Sequence, residues 1–154
     1  TYRTLTSAVN TGTAGSSLGG IISTFMGLDA PETFAKIGAL SPAYWVNLNV
    51  VNRLTTDASL PNWRHYLDSG TTGGTSEGSP DGYARCFDVR DRMLNRGQVL
   101  NVNVYHAVGF GQQHDETAWQ SRFPQTARFL FPIEDESSSL PVAGANVADW
   151  NYYP

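Results

Sequence analysis

The sequence predicts an α/β fold of about four parallel strands with flanking helices. Two observations carry that prediction. Segments rich in β-prone residues alternate with segments whose apolar residues fall at helical spacing, the pattern of a parallel sheet covered by helices. The chain has 154 residues, 40% of them hydrophobic, which suits a single domain with a real core.

The first strand is read over residues 11–15 and leads directly into a helix over residues 17–26, whose apolar positions suit packing on a sheet. The second strand covers residues 37–40 and stops at Ser41-Pro42. The third covers residues 63–67 and ends at Asp68-Ser69-Gly70. The fourth covers residues 99–107, where Val and Tyr alternate with Asn and His. Residues 83–96 carry Cys86, Val89, Met93 and Leu94 at helical spacing, and the helix is expected to stop at Gly97, which tolerates the left-handed C-terminal position. The last helical region, residues 115–131, contains Pro124. Proline is disfavoured inside a helix and favoured at its first position, so two short helices are expected, with a break near Phe123. Residues 71–82, dense in Gly, Ser and Thr, read as a loop at the C-terminal edge of the sheet. Residues 1–133 form the expected domain, and residues 134–154 read as a tail or linker.

A formal charge of −4 without a long single-sign run gives no surface for tracking phosphates, so nucleic acid is not an expected partner. No apolar stretch approaches the roughly 20 residues of a membrane-spanning helix. The single cysteine, Cys86, forms no intramolecular disulfide and is expected to pack, not react. The chain opens on Thr1-Tyr2-Arg3, without an initiating Met, a basic leader or an apolar signal core, a start that looks internal to something longer.

Gly15-Ser16-Ser17-Leu18-Gly19 matches G-x-S-x-G between a predicted strand and a predicted helix, the context that motif requires. There the nucleophile sits on a sharp, strained turn, and the residues two before and two after must be small so that strand and helix can approach. Ser17 is the expected nucleophile. The backbone N–H of Leu18, at the start of the new helix, is the expected oxyanion donor. A serine hydroxyl needs a base, and the chain holds three histidines. His65 and His106 fall in predicted strands, whereas His114 follows the fourth strand in a Gly-rich loop at the serine's edge of the sheet. His114 is therefore the expected base. The acid is expected between them in sequence, and Asp68, Glu77 and Asp81 are the candidates. Asp81, just before a helix, is preferred for orienting the imidazole, although helix capping would also explain an Asp there.

These stretches resemble the esterase family of α/β-hydrolases that contains enterobactin esterases, feruloyl esterases, S-formylglutathione hydrolases and mycolyltransferases. The likeness rests on Ala14-Gly15-Ser16-Ser17-Leu18-Gly19-Gly20, on Leu40-Ser41-Pro42-Ala43-Tyr44-Trp45, and on His114-Asp115-Glu116-Thr117-Ala118-Trp119 with Arg122-Phe123-Pro124. The resemblance implies the C-terminal half of an α/β-hydrolase fold, with Ser17 and His114 as nucleophile and base. It implies Trp45 as a wall of the substrate cleft, and Ser16, beside the nucleophile, is the second candidate substrate contact. Glu116, Trp119 and Arg122 read as structural, Trp119 by packing on the sheet and the charges as partners near the helix start.

Members of that family carry several strands and a helix before the nucleophile strand. Without such an upstream half, the strand at residues 11–15 would expose a long apolar edge, and the second oxyanion donor would be missing. The expected partners are thus a small-molecule ester and either the upstream half of the domain or a second copy of the chain. No metal or organic cofactor is implied. The expected activity is carboxylic ester hydrolysis through an acyl-serine intermediate. A non-catalytic fragment serving assembly or ligand binding, and acyl transfer on the same residues, are the alternatives.

Overall fold

The computed structural model describes residues 4–74 and 78–132. Four strands, β1 (Gly12–Ser16), β2 (Lys36–Leu40), β3 (Arg64–Gly70) and β4 (Val104–Gly109), form one sheet in the order β1-β2-β3-β4. All three pairings are parallel, with Ser16 opposite Leu40, Leu40 opposite Asp68 and Asp68 opposite Ala107. The connections are helices, α1 (Leu18–Asp29), α2 (Leu48–Thr56) and α3 (Tyr83–Asn95), and α4 (Glu116–Leu130) follows the last strand.

Two cores flank the sheet, as the two-residue period of a strand requires. On one face Ile37, Ala39 and Leu67 meet Ile21 and Leu28 of α1, Val50, Val51 and Leu54 of α2, and Cys86, Val89 and Met93 of α3. On the other face Leu40, Tyr66 and Tyr105 meet Phe129 and Leu130 of α4. The chain is therefore a three-layer α/β structure, as expected from its alternating pattern.

Four details differ from the sequence reading. Helix α2 was not anticipated; Asn47 caps it, its side-chain oxygen accepting from the Asn49 N–H at 3.0 Å, and Val50, Val51 and Leu54 bury one face. The fourth strand starts five residues later than predicted. Asn101 turns left-handed at φ 64° and the Asn103 side chain accepts from the Val99 N–H at 2.6 Å, folding this Asn-rich stretch into a turn. Strand β3 runs on through Asp68 and Ser69 to Gly70, so Asp68 belongs to the strand and not to the loop after it. Finally, α4 is one continuous helix with Pro124 inside it, and the expected break near Phe123 does not occur. Proline costs a helix interior about 3 kcal/mol. Here Ala118, Arg122, Thr126, Phe129 and Leu130 form a single buried stripe that spans the proline, so packing on the sheet outweighs that cost.

Candidate active site

The site lies at the C-terminal ends of the strands, where open parallel sheets present their loops. Ser17 stands between β1 and α1 at φ 55° and ψ −117°, outside the ordinary regions for an L-residue. Its backbone is held on both sides. The Ser17 N–H donates to the Leu40 carbonyl at 3.0 Å, and its carbonyl accepts from the Ala43 N–H at 2.9 Å and the Gly20 N–H at 3.1 Å. Leu18 opens α1, so its N–H belongs to the first turn and has no carbonyl one turn back to donate to.

The small residues that permit this turn are not quite those expected. A Cβ on Gly15 would come within 2.8 Å of Gly19 backbone, and one on Gly20 within 2.9 Å of Pro42. A Cβ on Gly19 would meet nothing within 4 Å, so the steric demand falls on Gly15 and Gly20.

His114 lies in the loop after β4, and that loop is tied to the end of β3: the Thr71 and Thr72 N–H groups both donate to the Gln112 carbonyl at 3.0 Å. The ring is 23% exposed. Its Nε2 is 2.8 Å from the Ser17 hydroxyl oxygen, and its Nδ1 is 2.5 Å from Asp81 Oδ1. A carboxylate only accepts, which places the ring proton on Nδ1 and leaves Nε2 to accept from Ser17. Trp45, in a 3-10 turn at Tyr44–Val46, packs against the same ring at 5.6 Å between centroids, and Trp119 meets it edge to face at 5.0 Å. Trp119 also packs on the α4 core, so its expected structural role is only part of its surroundings. Ser16 ends β1 immediately before Ser17.

Asp81 is fully buried in a 3-10 turn at Pro80–Gly82. Both Asp81 and Gly82 adopt left-handed backbone, at φ 47° and 68°. That turn swings the carboxylate away from helix capping and toward His114. Gly82 is needed twice over, since a Cβ there would also come within 2.7 Å of the Trp45 ring.

Asp68, the second acid candidate, does not reach His114. It lies on the α4 face of β3, where Oδ1 accepts from the Ser41 N–H at 2.8 Å and Oδ2 from the Tyr66 hydroxyl at 3.0 Å. Burial raises its carboxyl above the usual range, opposed by Arg122, whose Nε is 3.0 Å from Oδ2. Glu77, the third candidate, lies outside the described residues. Arg122 exceeds the role expected of it: it is 6% exposed and reaches from its helix to Asp68 at the end of β3 and Ser41 after β2. Ser41, buried at φ 39°, is the other neighbour the sequence reading missed; its position just after a strand was the available signal.

The remaining histidines stand apart. His65 is fully buried among α1 and β3, its Nε2 3.1 Å from the Thr24 hydroxyl, and burial holds its pKa down to about 3. His106 packs on the Phe87 ring at 4.5 Å, and burial lowers it to about 3 as well. Cys86 is buried against the Asp68 carbonyl at 3.3 Å, and burial raises its thiol, in keeping with a packing role. Among the described residues no three His, Cys, Asp or Glu side chains cluster as a metal would need, and no helix is long and apolar enough to cross a membrane.

The family model described as "Putative esterase" matches residues 1–130. The chain belongs to this esterase family. Among solved structures, the enterobactin esterase of Shigella flexneri is similar at a TM-score of 0.67 and 20% identity, covering 81% of this chain and 32% of that one. The ferric enterobactin esterase of Salmonella typhimurium matches at a TM-score of 0.60 and 20% identity, covering 81% of this chain and 31% of that one. A ferulic acid esterase matches at a TM-score of 0.67 and 21% identity, covering 84% of this chain and 53% of that one. At these identities the likeness establishes the fold, and this esterase-family chain spans between about a third and a half of the structures it matches. Comparison with curated protein sequences finds no match.

Proposed function

We propose that this chain hydrolyses a small carboxylic ester through an acyl-serine intermediate, with Ser17 as nucleophile, His114 as base and Asp81 as acid. The observation that carries this is the continuous line of short contacts from the Ser17 hydroxyl through the His114 ring to the buried Asp81 carboxylate. As Ser17 Oγ bonds to the ester carbonyl carbon, its proton passes to His114 Nε2, and the imidazolium is stabilised by Asp81. The Leu18 N–H donates to the oxyanion at the start of α1, where the helix dipole favours negative charge. His114 then gives the proton to the departing alkoxide oxygen. Water repeats the sequence on the acyl-serine, and the acid leaves. Ser16 and Trp45 flank the ester, Trp45 from beside the imidazole.

We assign residues 1–133 to the C-terminal half of a catalytic domain; the tail or linker expected over residues 134–154 lies outside the described residues. Two features support an upstream partner. Strand β1 lies at the edge of the sheet, and Leu18, Ile22 and Phe25 expose apolar surface on the adjoining helix. An upstream half would cover this edge and supply a second oxyanion donor; a second copy of the chain would cover it only.

The deciding experiment is covalent labelling with a serine-directed organophosphonate, followed by peptide mapping. Modification at Ser17, lost in Ser17→Ala and His114→Ala, is the expected result. Labelling that persists in Ser17→Ala removes the reading.

A further inference from the structure

We propose that Ser41 and Arg122 are positioning residues for the acid at Asp81: they occupy one carboxylate oxygen so that the other stays on His114. The proposal rests on Asp81 being the acid of the triad.

The two oxygens of Asp81 are used differently. Oδ1 faces His114 Nδ1 at 2.5 Å. Oδ2 takes the other donors, the Ser41 hydroxyl at 2.6 Å and the Gly70 N–H, and has the charge of Arg122 Nη2 beside it at 3.7 Å. A carboxylate held by one partner alone can rotate and exchange its oxygens. Donors gathered on Oδ2 remove that freedom.

The direction of the chain is fixed by chemistry. Arg122 Nη2 is 2.7 Å from the Ser41 hydroxyl oxygen, and a guanidinium only donates. Ser41 therefore accepts from Arg122 and gives its single proton to Asp81. The guanidinium is itself fixed, by Asp68 Oδ2 at 3.0 Å from Nε and by Gln112, whose side-chain oxygen accepts from Nη1. Ser41 is held too: its N–H donates to both the carbonyl and the Oδ1 of Asp68, at 3.1 and 2.8 Å. A buried serine at φ 39° persists only where its surroundings over-determine it. Asp68, the carboxylate that misses His114, thus anchors both residues that steer the one that meets it. A carboxylate already aimed when the imidazole gains its proton needs no reorganisation.

The test uses two readouts on the chain: the low-field proton resonance of His114 Nδ1–H, and the rate of phosphonylation at Ser17 normalised to folded protein. Ser41→Gly is the decisive variant. Glycine relieves the left-handed backbone and so offsets part of the cost of removing the hydroxyl from between Arg122 and Asp81, and labelling normalised to folded protein takes out what remains. Arg122→Lys keeps the charge but cannot donate in several fixed directions at once. Both variants are expected to shift or broaden the low-field resonance and to slow phosphonylation by up to about a hundredfold, the scale of a small misplacement of a catalytic group. Asp81→Asn should abolish the resonance and nearly all labelling. If Asp81→Asn does so while Ser41→Gly matches the parent in both readouts, this proposal is overturned and the triad stands. If Asp81→Asn leaves both readouts intact, the triad acid is wrong and the proposal falls with it. Should Arg122→Lys fail to fold, Ser41→Gly decides by itself.

Discussion

Gly15 lies against the backbone of Gly19 so closely that a Cβ on Gly15 would stand 2.8 Å from the Gly19 carbonyl carbon. This contact between the end of β1 and the start of α1 sets the sharpness of the turn that presents Ser17. It also shows that the demand for small residues is uneven around the turn, because Gly20, not Gly19, is the second crowded position.

Gly15→Ala and Gly20→Ala should each destabilise the fold by about 1–3 kcal/mol through overpacking and slow the labelling of Ser17. Gly19→Ala should leave stability within about 1 kcal/mol of the parent, since alanine has the higher helix propensity and meets no neighbour. Urea denaturation midpoints check the three together. Equal losses at all three positions would contradict the steric account.

The two buried aspartates should separate by phenotype. Asp81→Asn is expected to keep the fold and lower turnover by about 10⁴-fold, because the imidazole loses its orientation and tautomer. Asp68→Ala should act first on stability, by about 3–5 kcal/mol, since it leaves Arg122 buried beside a missing partner. Active-site-titrated turnover and thermal unfolding, measured on both variants, distinguish these outcomes. A turnover loss larger at Asp68 than at Asp81 would move the acid.

His65 should make the fold sensitive to acid. Burial lowers its pKa to about 3 in the folded chain, against about 6.5 when unfolded. A depressed histidine contributes stability that is present above pH 6.5 and lost as pH falls toward 3, because the unfolded chain takes up the proton first. Between pH 7 and 5 the loss should be about 2 kcal/mol, and His65→Gln should flatten that slope. His106, half-buried as a residue and lowered to the same value, adds its own loss over this range, so His65→Gln removes only part of the slope. Denaturant titrations at the two pH values measure the effect; a parent and a His65→Gln variant with the same slope would refute it.

The edge of β1 gives a prediction about association. A fragment supplying the neighbouring strand and a second oxyanion donor should raise ester hydrolysis by about a hundredfold or more. Self-association alone should raise solubility without that gain. Sedimentation and a soluble aryl ester assay separate the two. A stable monomer that is fully active by itself would show that no such partner is needed.

Reading along the chain was enough for four parallel strands, the turn bearing Ser17 and the loop bearing His114, because each is a local pattern: β-prone runs, glycines at fixed offsets, a Gly-rich stretch after a strand. The separation of His114 from His65 and His106 followed from the same local logic. What sequence left open was the carboxylate, and only tertiary structure decided which one reaches the ring. Extending β3 to Gly70 turns Asp68 toward α4 and Arg122, while left-handed backbone at Asp81 and Gly82 brings a residue 11 positions beyond Gly70 back onto that strand's end. Neither the register of a strand end nor a non-glycine residue at positive φ is written in composition or periodicity. The continuity of α4 through Pro124 belongs to the same class: local propensity argued for a break, and burial of one helical stripe on the sheet outweighed it.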